Sequence, residues 1–518
     1  MSSEGAVPQS SHAPELAANP PLSQPTPISD IKQLVRSFTN RGAYAKLEDI
    51  DLEVGKSKDA QVTVAEVQKD EHDECHHSPE PLPSKKYGRV ARNIRWTFLN
   101  VYERLAFIVL LPNLVMMVYL LVQPDTFSSP TRLSTPVAAN ITLTVLIRNE
   151  HIINFLFWSF GKAPKSWPLG VRRVIAKLYH LGGIHSGCGV AAILWFGLFN
   201  GAVMNMMTNL KYQGIRGGSF FITILLDLLL LNILVLSHPK LRARYHNMWE
   251  QMHRFAGWAA IGLFWLHLFL FNHVQYRLND NKGWLEILYK TPNFYFLLIT
   301  TFVIFEPWFR LKKVPVRAET LSDHAIRLHF THQNLAICTT PRFSDYILKE
   351  WHAFAAIPAE DGIGYSVLIS KAGDWTTKVI KTPPKELWTK GTPARGALYM
   401  GVVFKKIVVV ATGSGIAPIL SLLQAPNLDV RILWSTPGPP EKVFAPYIVD
   451  YVKKADSEAV IIDTRKAGRP NLVEEAWKIY CSSGAEAVFI ISNAAVTRKF
   501  VYGLESRGVP TFAPIFDS

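Results

Sequence analysis

Cysteine, charge and a leader are what this sequence has least of. Four cysteines in 518 residues, Cys75, Cys188, Cys338 and Cys481, are too few and too scattered to staple a secreted domain. Charged residues make up only 19% against 48% hydrophobic ones, which excludes a wholly disordered or wholly soluble chain. The opening MSSEGAVPQSSHAPELAANPPLSQ has no basic start followed by an apolar core, so no cleavable signal peptide is expected. What is abundant is aromatic: 14 Trp and 29 Phe, residues that gather where a bilayer meets water. The length is a prior for about three domains, and the formal net charge is +14.

Residues 1–86 are rich in Ser, Pro and charge and lack an apolar period, the pattern of a disordered cytoplasmic tail. Its run His72-Asp-Glu-Cys75-His76-His77 has the residue types of a soft-metal site, but a tail supplies no second shell to orient ligands. Residues 87–313 then contain six apolar stretches, near 101–123, 136–160, 174–201, 218–237, 248–271 and 291–308. The second is interrupted by Arg148, Asn149, Glu150 and His151, which should face a bundle interior. Lys and Arg concentrate before the first stretch, between the second and third, between the fourth and fifth, and after the sixth. The positive-inside rule puts both termini in the cytoplasm of a multi-pass membrane protein, with the plasma membrane favoured over internal ones. This loop charge beside anionic lipid explains the basic balance without nucleic acid. The sequon Asn140-Ile-Thr falls within the second stretch and is expected to be unused. No inverted repeat or pair of broken helices suggests a transporter.

The fifth stretch holds His253 and His267, fourteen residues and therefore about 21 Å apart on one helix face. That spacing suits stacked haems with axial histidines. His185 in the third stretch and His253 are each followed by a glycine four residues on, Gly189 and Gly257, leaving room for a macrocycle. Fourteen residues after His185 stands Phe199, which cannot ligate iron. An inner haem iron site, His185 with His253, is thus complete; His267 is a third candidate ligand whose partner would have to be His180, Met204 or His273. Hydrogen bonding between helices is the competing explanation for these histidines.

From residue 314 to 402 short alternating runs, such as Ala325–Phe330 and Tyr365–Ser370, predict a small barrel. In 403–518 apolar strands alternate with helices, predicting a parallel-sheet nucleotide domain. There Ile407–Ala411 runs into Thr412-Gly413-Ser414-Gly415-Ile-Ala-Pro418, a strand, a glycine turn and a helix start at which a pyrophosphate can approach the backbone. Upstream, His352 and Phe354 have the character to flank an isoalloxazine ring, and the Gly373-Asp-Trp375-Thr376 turn to receive flavin phosphates.

Together these features resemble the ferric reductase and NADPH oxidase superfamily, over roughly residues 90–518. More narrowly, the polar second stretch, the Ala411–Pro418 turn and the ending Pro510–Ser518 resemble the fungal TmpA family of membrane flavoproteins. The resemblance implies a six-span α-helical membrane domain, then a cytoplasmic FAD-binding β-barrel and an α/β NAD(P)-binding domain of ferredoxin-reductase type. It implies FAD at His352, Phe354, Lys371, Gly373, Trp375 and Thr376, and NADPH or NADH at Thr412, Gly413, Ser414, Gly415, Pro418 and Ser435. It also implies a role in asexual sporulation (conidiation). The chain departs from the superfamily pattern in several places. His-Pro-Phe-Thr appears as His352-Ala-Phe354-Ala355, and the basic residue before Ala-x-Gly is displaced to Lys371. The phosphate-side stretch reads Pro393-Ala-Arg395-Gly396, and a late Cys-Gly-Pro reads Ile491-Ser492-Asn493. No arginine for an NADP 2′-phosphate stands in Leu433–Thr436, leaving Ser435, Arg465 or Arg469. The expectation is a membrane oxidoreductase passing electrons from NAD(P)H through FAD to one inner haem b and an unidentified acceptor. The alternative is a signalling scaffold that keeps the fold without catalysis. No catalytic residue is assigned.

Overall fold

The computed structural model describes residues 81–124, 126–128, 130–208, 213–278 and 283–514. The expected tail up to residue 80, with its His72–His77 run, and the last four residues lie outside the described ones. The N-terminal half is helical: α1 (Arg89–Asn93), α2 (Val101–Leu121), α3 (Pro130–Leu146), α4 (Glu150–Gly161), α5 (Leu169–Ile175), α6 (Gly182–Thr208), α7 (Gln213–Leu236), α8 (Pro239–Arg244), α9 (His246–Leu278), α10 (Trp284–Lys290) and α11 (Pro292–Phe305).

Among the described residues four helices are long and apolar enough to cross a membrane, or five if the bent pair Trp284–Lys290 and Pro292–Arg310 counts as one. The six expected stretches therefore do not all become single long helices. The second divides at Arg148 and Asn149: Asn149 leaves the helical conformation and its side chain accepts from the N–H groups of His151 and Ile152, starting α4 afresh. Inside the bundle Thr142 bonds Thr300 across helices at 2.9 Å, and Asn140 donates to Asn113 at 2.8 Å. Asn140 is buried, which leaves its sequon no accessible amide.

The C-terminal half begins with a barrel, β1 (Lys312–Pro315), β2 (Arg317–Thr320), β3 (Ala325–Phe330), β4 (Thr339–Thr340), β5 (Arg342–Ser344), β6 (His352–Ala353), β7 (Ala356–Pro358), β8 (Tyr365–Ser370), β9 (Glu386–Thr389) and β10 (Ala394–Arg395). Two four-stranded antiparallel sheets, ordered β1-β9-β5-β6 and β2-β3-β8-β7, enclose Ile326, Leu328, Phe330, Phe343 and Val367. Helix α12 (Asp374–Lys381) buries Trp375, Val379 and Ile380 against that core.

A parallel sheet follows: β11 (Lys406–Thr412), β12 (Asp429–Thr436), β13 (Val460–Asp463), β14 (Ala487–Ile491) and β15 (Thr511–Phe512), in the order β13-β12-β11-β14-β15. Buried on both faces, β11 and β14 read as continuous apolar runs. The covering helices are α13 (Ile416–Leu422), α14 (Pro440–Phe444), α15 (Pro446–Ala455), α16 (Leu472–Ser483) and α17 (Ala494–Glu505).

Helical and soluble halves share one core, in which Phe157 and Ala176 pack in the same cluster as Val409, Trp434 and Phe489. Buried charge reinforces it. Arg172 is forked onto Glu486 at 2.6 and 2.9 Å and also donates to the Val403 carbonyl. That guanidinium, aided by the Lys405 N–H, holds the Glu486 carboxyl below the usual carboxylate range. Glu150, only 3% exposed, pairs with Arg342 and accepts from the Thr392 N–H at 2.8 Å. One turn on, Asn154 donates to the Pro393 carbonyl and accepts from the Arg395 N–H. Glu150→Gln is expected to lower stability by about 2 kcal/mol, since breaking a buried pair costs roughly 3–5 kcal/mol and Arg342 keeps partial access to solvent. Thermal unfolding of the detergent-solubilised chain measures this; an unchanged midpoint would deny Glu150 its fastening role.

Candidate functional site

The strand order places a topological switch point between β11 and β14, since β12 and β13 leave β11 on one side and β14 pairs on the other. Ligands of open parallel sheets bind outside the carboxyl ends of the strands at such a point, and the expected glycine turn is there. Gly413 takes φ +51°, a left-handed conformation that favours glycine. Gly415 lies so close to β14 that a Cβ would stand 2.3 Å from the Ile491 carbonyl oxygen. Trp434 donates its indole N–H to the Gly413 carbonyl at 2.9 Å, and Thr412 bonds Ser492 at 2.6 Å. Ser414 and Pro418 flank the turn, half-buried, and Ser435 stands next to last in β12, buried. Beside it, Thr436 Oγ1 is buried without a partner, and the Arg465 guanidinium lies against Gly438 in the loop after β12. Arg465 therefore stands where β12 ends, the place at which a 2′-phosphate is read.

In the barrel, His352, Phe354 and Trp375 come together, with a geometry that departs from the expected flanking pair. Trp375, 7% exposed, stacks on His352 at 4.3 Å and on Phe354 at 5.8 Å, so an indole already covers both rings. Its N–H donates to Asp345. Thr376 does not leave the turn open: its hydroxyl accepts from the N–H groups of Ala372 and Gly373, each at 2.9 Å. Lys371 and Gly373 are exposed. A cavity of about 160 Å³ beside Trp375 is lined by Asp345, Glu350 and Asp374 against Lys349 and Lys378, a balance that does not suit phosphates. Two buried atoms nevertheless lack partners here, His352 Nε2 and Ser370 Oγ. Burial pushes the His352 imidazole below its ordinary value, the carboxylates of Glu350 and Asp345 opposing only in part.

Positive charge lies instead on the rim facing the helices, where the sequence reading placed no ligand. Lys390 sits over Trp308 at 3.9 Å and Trp351 at 4.2 Å. Burial, then the guanidinium groups of Arg342 and Arg254, push its ammonium down to about 7, while the two indole faces favour the charged form. Arg148, in the break between α3 and α4, keeps an exposed side chain within electrostatic reach of Arg342, His185 and His253. The only signal in the sequence for these residues was Arg148 itself, an arginine inside an apolar stretch.

His185 and His253 face each other with ring centres 6.1 Å apart. Two imidazoles on opposite sides of one metal, each at about 2 Å, have centres roughly 6 Å apart. His185 Nδ1 donates to the Thr144 carbonyl at 2.9 Å, which leaves the ring's lone pair on Nε2; His253 Nδ1 is buried without a partner. A Cβ on Gly189 or Gly257 would meet nothing within 4 Å. His267 instead contacts Phe199 at 5.5 Å and Phe196 at 6.4 Å and bonds Thr223 at 3.3 Å. A second haem has no opposing ligand there.

A barrel followed by a five-stranded parallel sheet, with a glycine turn at the switch point, is a ferredoxin-reductase-like fold. Residues 397–518 match the family described as the C-terminal domain of adenylate-forming reductase 03009. The chain is 40% identical over 469 residues to adenylate-forming reductase 03009 of Coprinopsis cinerea, covering 90% of this chain and 45% of that one. It is also 40% identical over 453 residues to adenylate-forming reductase 06235 of the same fungus, covering 87% and 44%. It is thus a relative of these reductases and spans under half their length. Among solved structures, a ferredoxin NADP+ reductase of Neisseria gonorrhoeae with bound FAD and NADP is 17% identical, with a TM-score of 0.34 over 40% of this chain and 98% of that one. A ferredoxin-NADP+ reductase of Plasmodium falciparum is 13% identical, with a TM-score of 0.31 over 39% and 95%.

Gly415→Ala is expected to weaken NADPH binding roughly tenfold or more, because overpacking of this size costs about 1–3 kcal/mol. Fluorescence titration reads the change; an unaltered affinity would remove the turn from the site. His352 has a folded-state affinity for protons below its unfolded one, so the stability it contributes is present above pH 6.5 and is lost as pH falls toward its folded value. His352→Phe keeps a ring on Trp375 and should flatten that acid limb, as unfolding midpoints across pH will show; parallel curves would mean that His352 does not titrate there.

Proposed function

We propose that this chain is an integral membrane oxidoreductase that takes electrons from NAD(P)H through FAD to a single inner haem b, with both termini cytoplasmic. The observation that carries the NAD(P)H assignment is the glycine turn at the switch point, closed to within a Cβ of β14. Gly413 and Gly415 let the dinucleotide phosphates approach the backbone, and the Trp434 and Thr412 bonds hold the turn in shape. Ser435 near the end of β12 and Arg465 beside Gly438 would meet the adenosine end.

For the flavin, the residues present fit as a stacking surface with unsatisfied polar atoms. His352, Trp375 and Phe354 provide the rings, His352 Nε2 and Ser370 Oγ the free contacts, and Arg342 and Lys390 positive charge for a pyrophosphate. When bound, FAD supplies the conversion of a two-electron donor into single electrons. For haem, His185 and His253 would hold the iron, with Thr144 orienting the His185 ring and Arg148 supplying positive charge beside the pair. When bound, the iron supplies a one-electron acceptor inside the membrane. Because Phe199 closes the outer position, delivery would end on the inner side, at an acceptor within the membrane or in the cytoplasm. A role in asexual sporulation, which the TmpA resemblance implies, belongs to the same proposal.

The second reading, a scaffold without catalysis, is favoured by one arrangement: Trp375 and Thr376 satisfy each other's surroundings without a cofactor. Absorption spectra of the purified chain before and after NADPH separate the two. The expected result is a flavin spectrum bleached by NADPH together with a reduced haem spectrum, the latter lost and the former kept in His185→Ala His253→Ala. A folded preparation that stays colourless after saturation with FAD and haem would end the oxidoreductase reading. Deletion strains complemented by the double variant then test whether sporulation needs the iron.

A further inference from the structure

The outer half of the bundle, where a second haem has no ligand pair, carries a carboxylate with an unusual partner. Asp227 lies within α7, and its side chain is exposed on that helix's outer face, which meets lipid if α6, α7 and α9 cross a bilayer. Intramembrane ionisable residues are costly and mark functional sites. Asn200 of α6, only 8% exposed, turns its Nδ2 toward both carboxyl oxygens, at 2.9 and 3.0 Å. Its own Oδ1 is buried with no partner.

An ionised carboxylate only accepts, so it can never satisfy that amide oxygen. A protonated one can. The acid O–H donates to Asn200 Oδ1 while Asn200 Nδ2–H donates to the other carboxyl oxygen, closing a ring of two hydrogen bonds and leaving no buried atom orphaned. We infer that Asp227 and Asn200 form a proton-binding site between α6 and α7, the proton being carried on the Asp227 carboxyl.

Its surroundings contain no competing charge. Among the described residues no cation pairs with Asp227, and Asn200 is the only polar group that bonds it. From α9, His267 bonds Thr223, which stands one turn from Asp227 on α7. The cations of α8, Lys240, Arg242 and Arg244, come after the cytoplasmic end of α7. The site binds and releases a proton without redox change, and it depends on the helices spanning a membrane rather than on the haem or flavin.

Infrared difference spectra of the full chain in lipid nanodiscs at neutral pH, exchanged from H₂O to D₂O, test it. The expected result is a protonated-carboxyl carbonyl band that shifts on exchange, is lost in Asp227→Asn, and moves upward in Asn200→Leu as the acid loses its acceptor. Wild type without an exchange-sensitive acid band, or with one that Asp227→Asn leaves intact, overturns the inference. Should Asp227→Asn fail to fold, Asn200→Leu decides, because a band it leaves unmoved belongs to another carboxyl.

Discussion

Removing a carboxylate or a guanidinium from water costs several kcal/mol unless partners on the spot replace the lost hydration. Glu150 and Arg172 are both 3% exposed, and beyond the Trp167 carbonyl, which accepts from Arg172 Nε, their partners lie outside the helical half. Glu150 is satisfied by Arg342 and the Thr392 N–H of the barrel, Arg172 by Glu486 and the Val403 carbonyl of the parallel-sheet domain. The helical half therefore cannot bury these groups alone. That end of it is complete only when the barrel and the parallel-sheet domain are seated on it, and the shared packing of Phe157 and Ala176 with Val409 and Trp434 closes the same seam. This constraint sets the geometry of everything proposed for electron flow, because the barrel's aromatic stack and the histidine pair are held by opposite sides of one fastening.

The same seam explains the break between α3 and α4. A continuous helix through 136–160 would hold Glu150 away from the barrel. Ending α3 at Leu146 and capping α4 with Asn149 turns the acid onto the barrel and leaves Arg148 in the gap, near the rings of His185 and His253. Polar residues that look like interruptions of a span are thus the contacts of a domain interface. Their cost in lipid is offset because they do not lie in lipid.

Much of this was legible from residue patterns, and the reasons differ by element. The glycine turn was readable because a strand, a positive-φ glycine and a close approach leave a local signature at Gly413 and Gly415. Helical periodicity placed His253 and His267 along one helix, but that His185 meets His253 across two helices is a tertiary contact it does not encode. The closed outer position followed from Phe199, which packs on His267 as a phenylalanine must. Hidden from sequence were the contacts made by residues far apart in the chain: Glu150 with Arg342, Lys390 between Trp308 and Trp351, and Trp375 on His352. Nothing local to Trp375 tells whether its indole borders a flavin slot or fills it. The second stretch misled because an apolar average over 136–160 outweighs one polar cluster in a window, while the backbone responds to the cluster.

Self-satisfaction of the barrel turn does not by itself decide between a cofactor-binding and a cofactor-free protein, and magnitudes show why. The Thr376 hydroxyl holds two backbone N–H groups, bonds worth about 1 kcal/mol each in net terms. A phosphate oxygen offers those donors a charge-assisted bond about twice as strong, so the exchange runs toward the ligand wherever phosphate can reach. Stacking of Trp375 on His352 and Phe354 contributes about 0.5–1.5 kcal/mol per ring pair beyond burial, and an isoalloxazine laid on the same rings returns a similar amount. Neither contact is strong enough to exclude a flavin; both serve to keep the site from collapsing or hydrating in its absence. The decisive quantity is therefore charge. The acids at 345, 350 and 374 repel a pyrophosphate from the cavity beside Trp375, while the rim facing the helices carries Arg342, already paired with Glu150, and Lys390, whose ammonium burial pushes down to about 7.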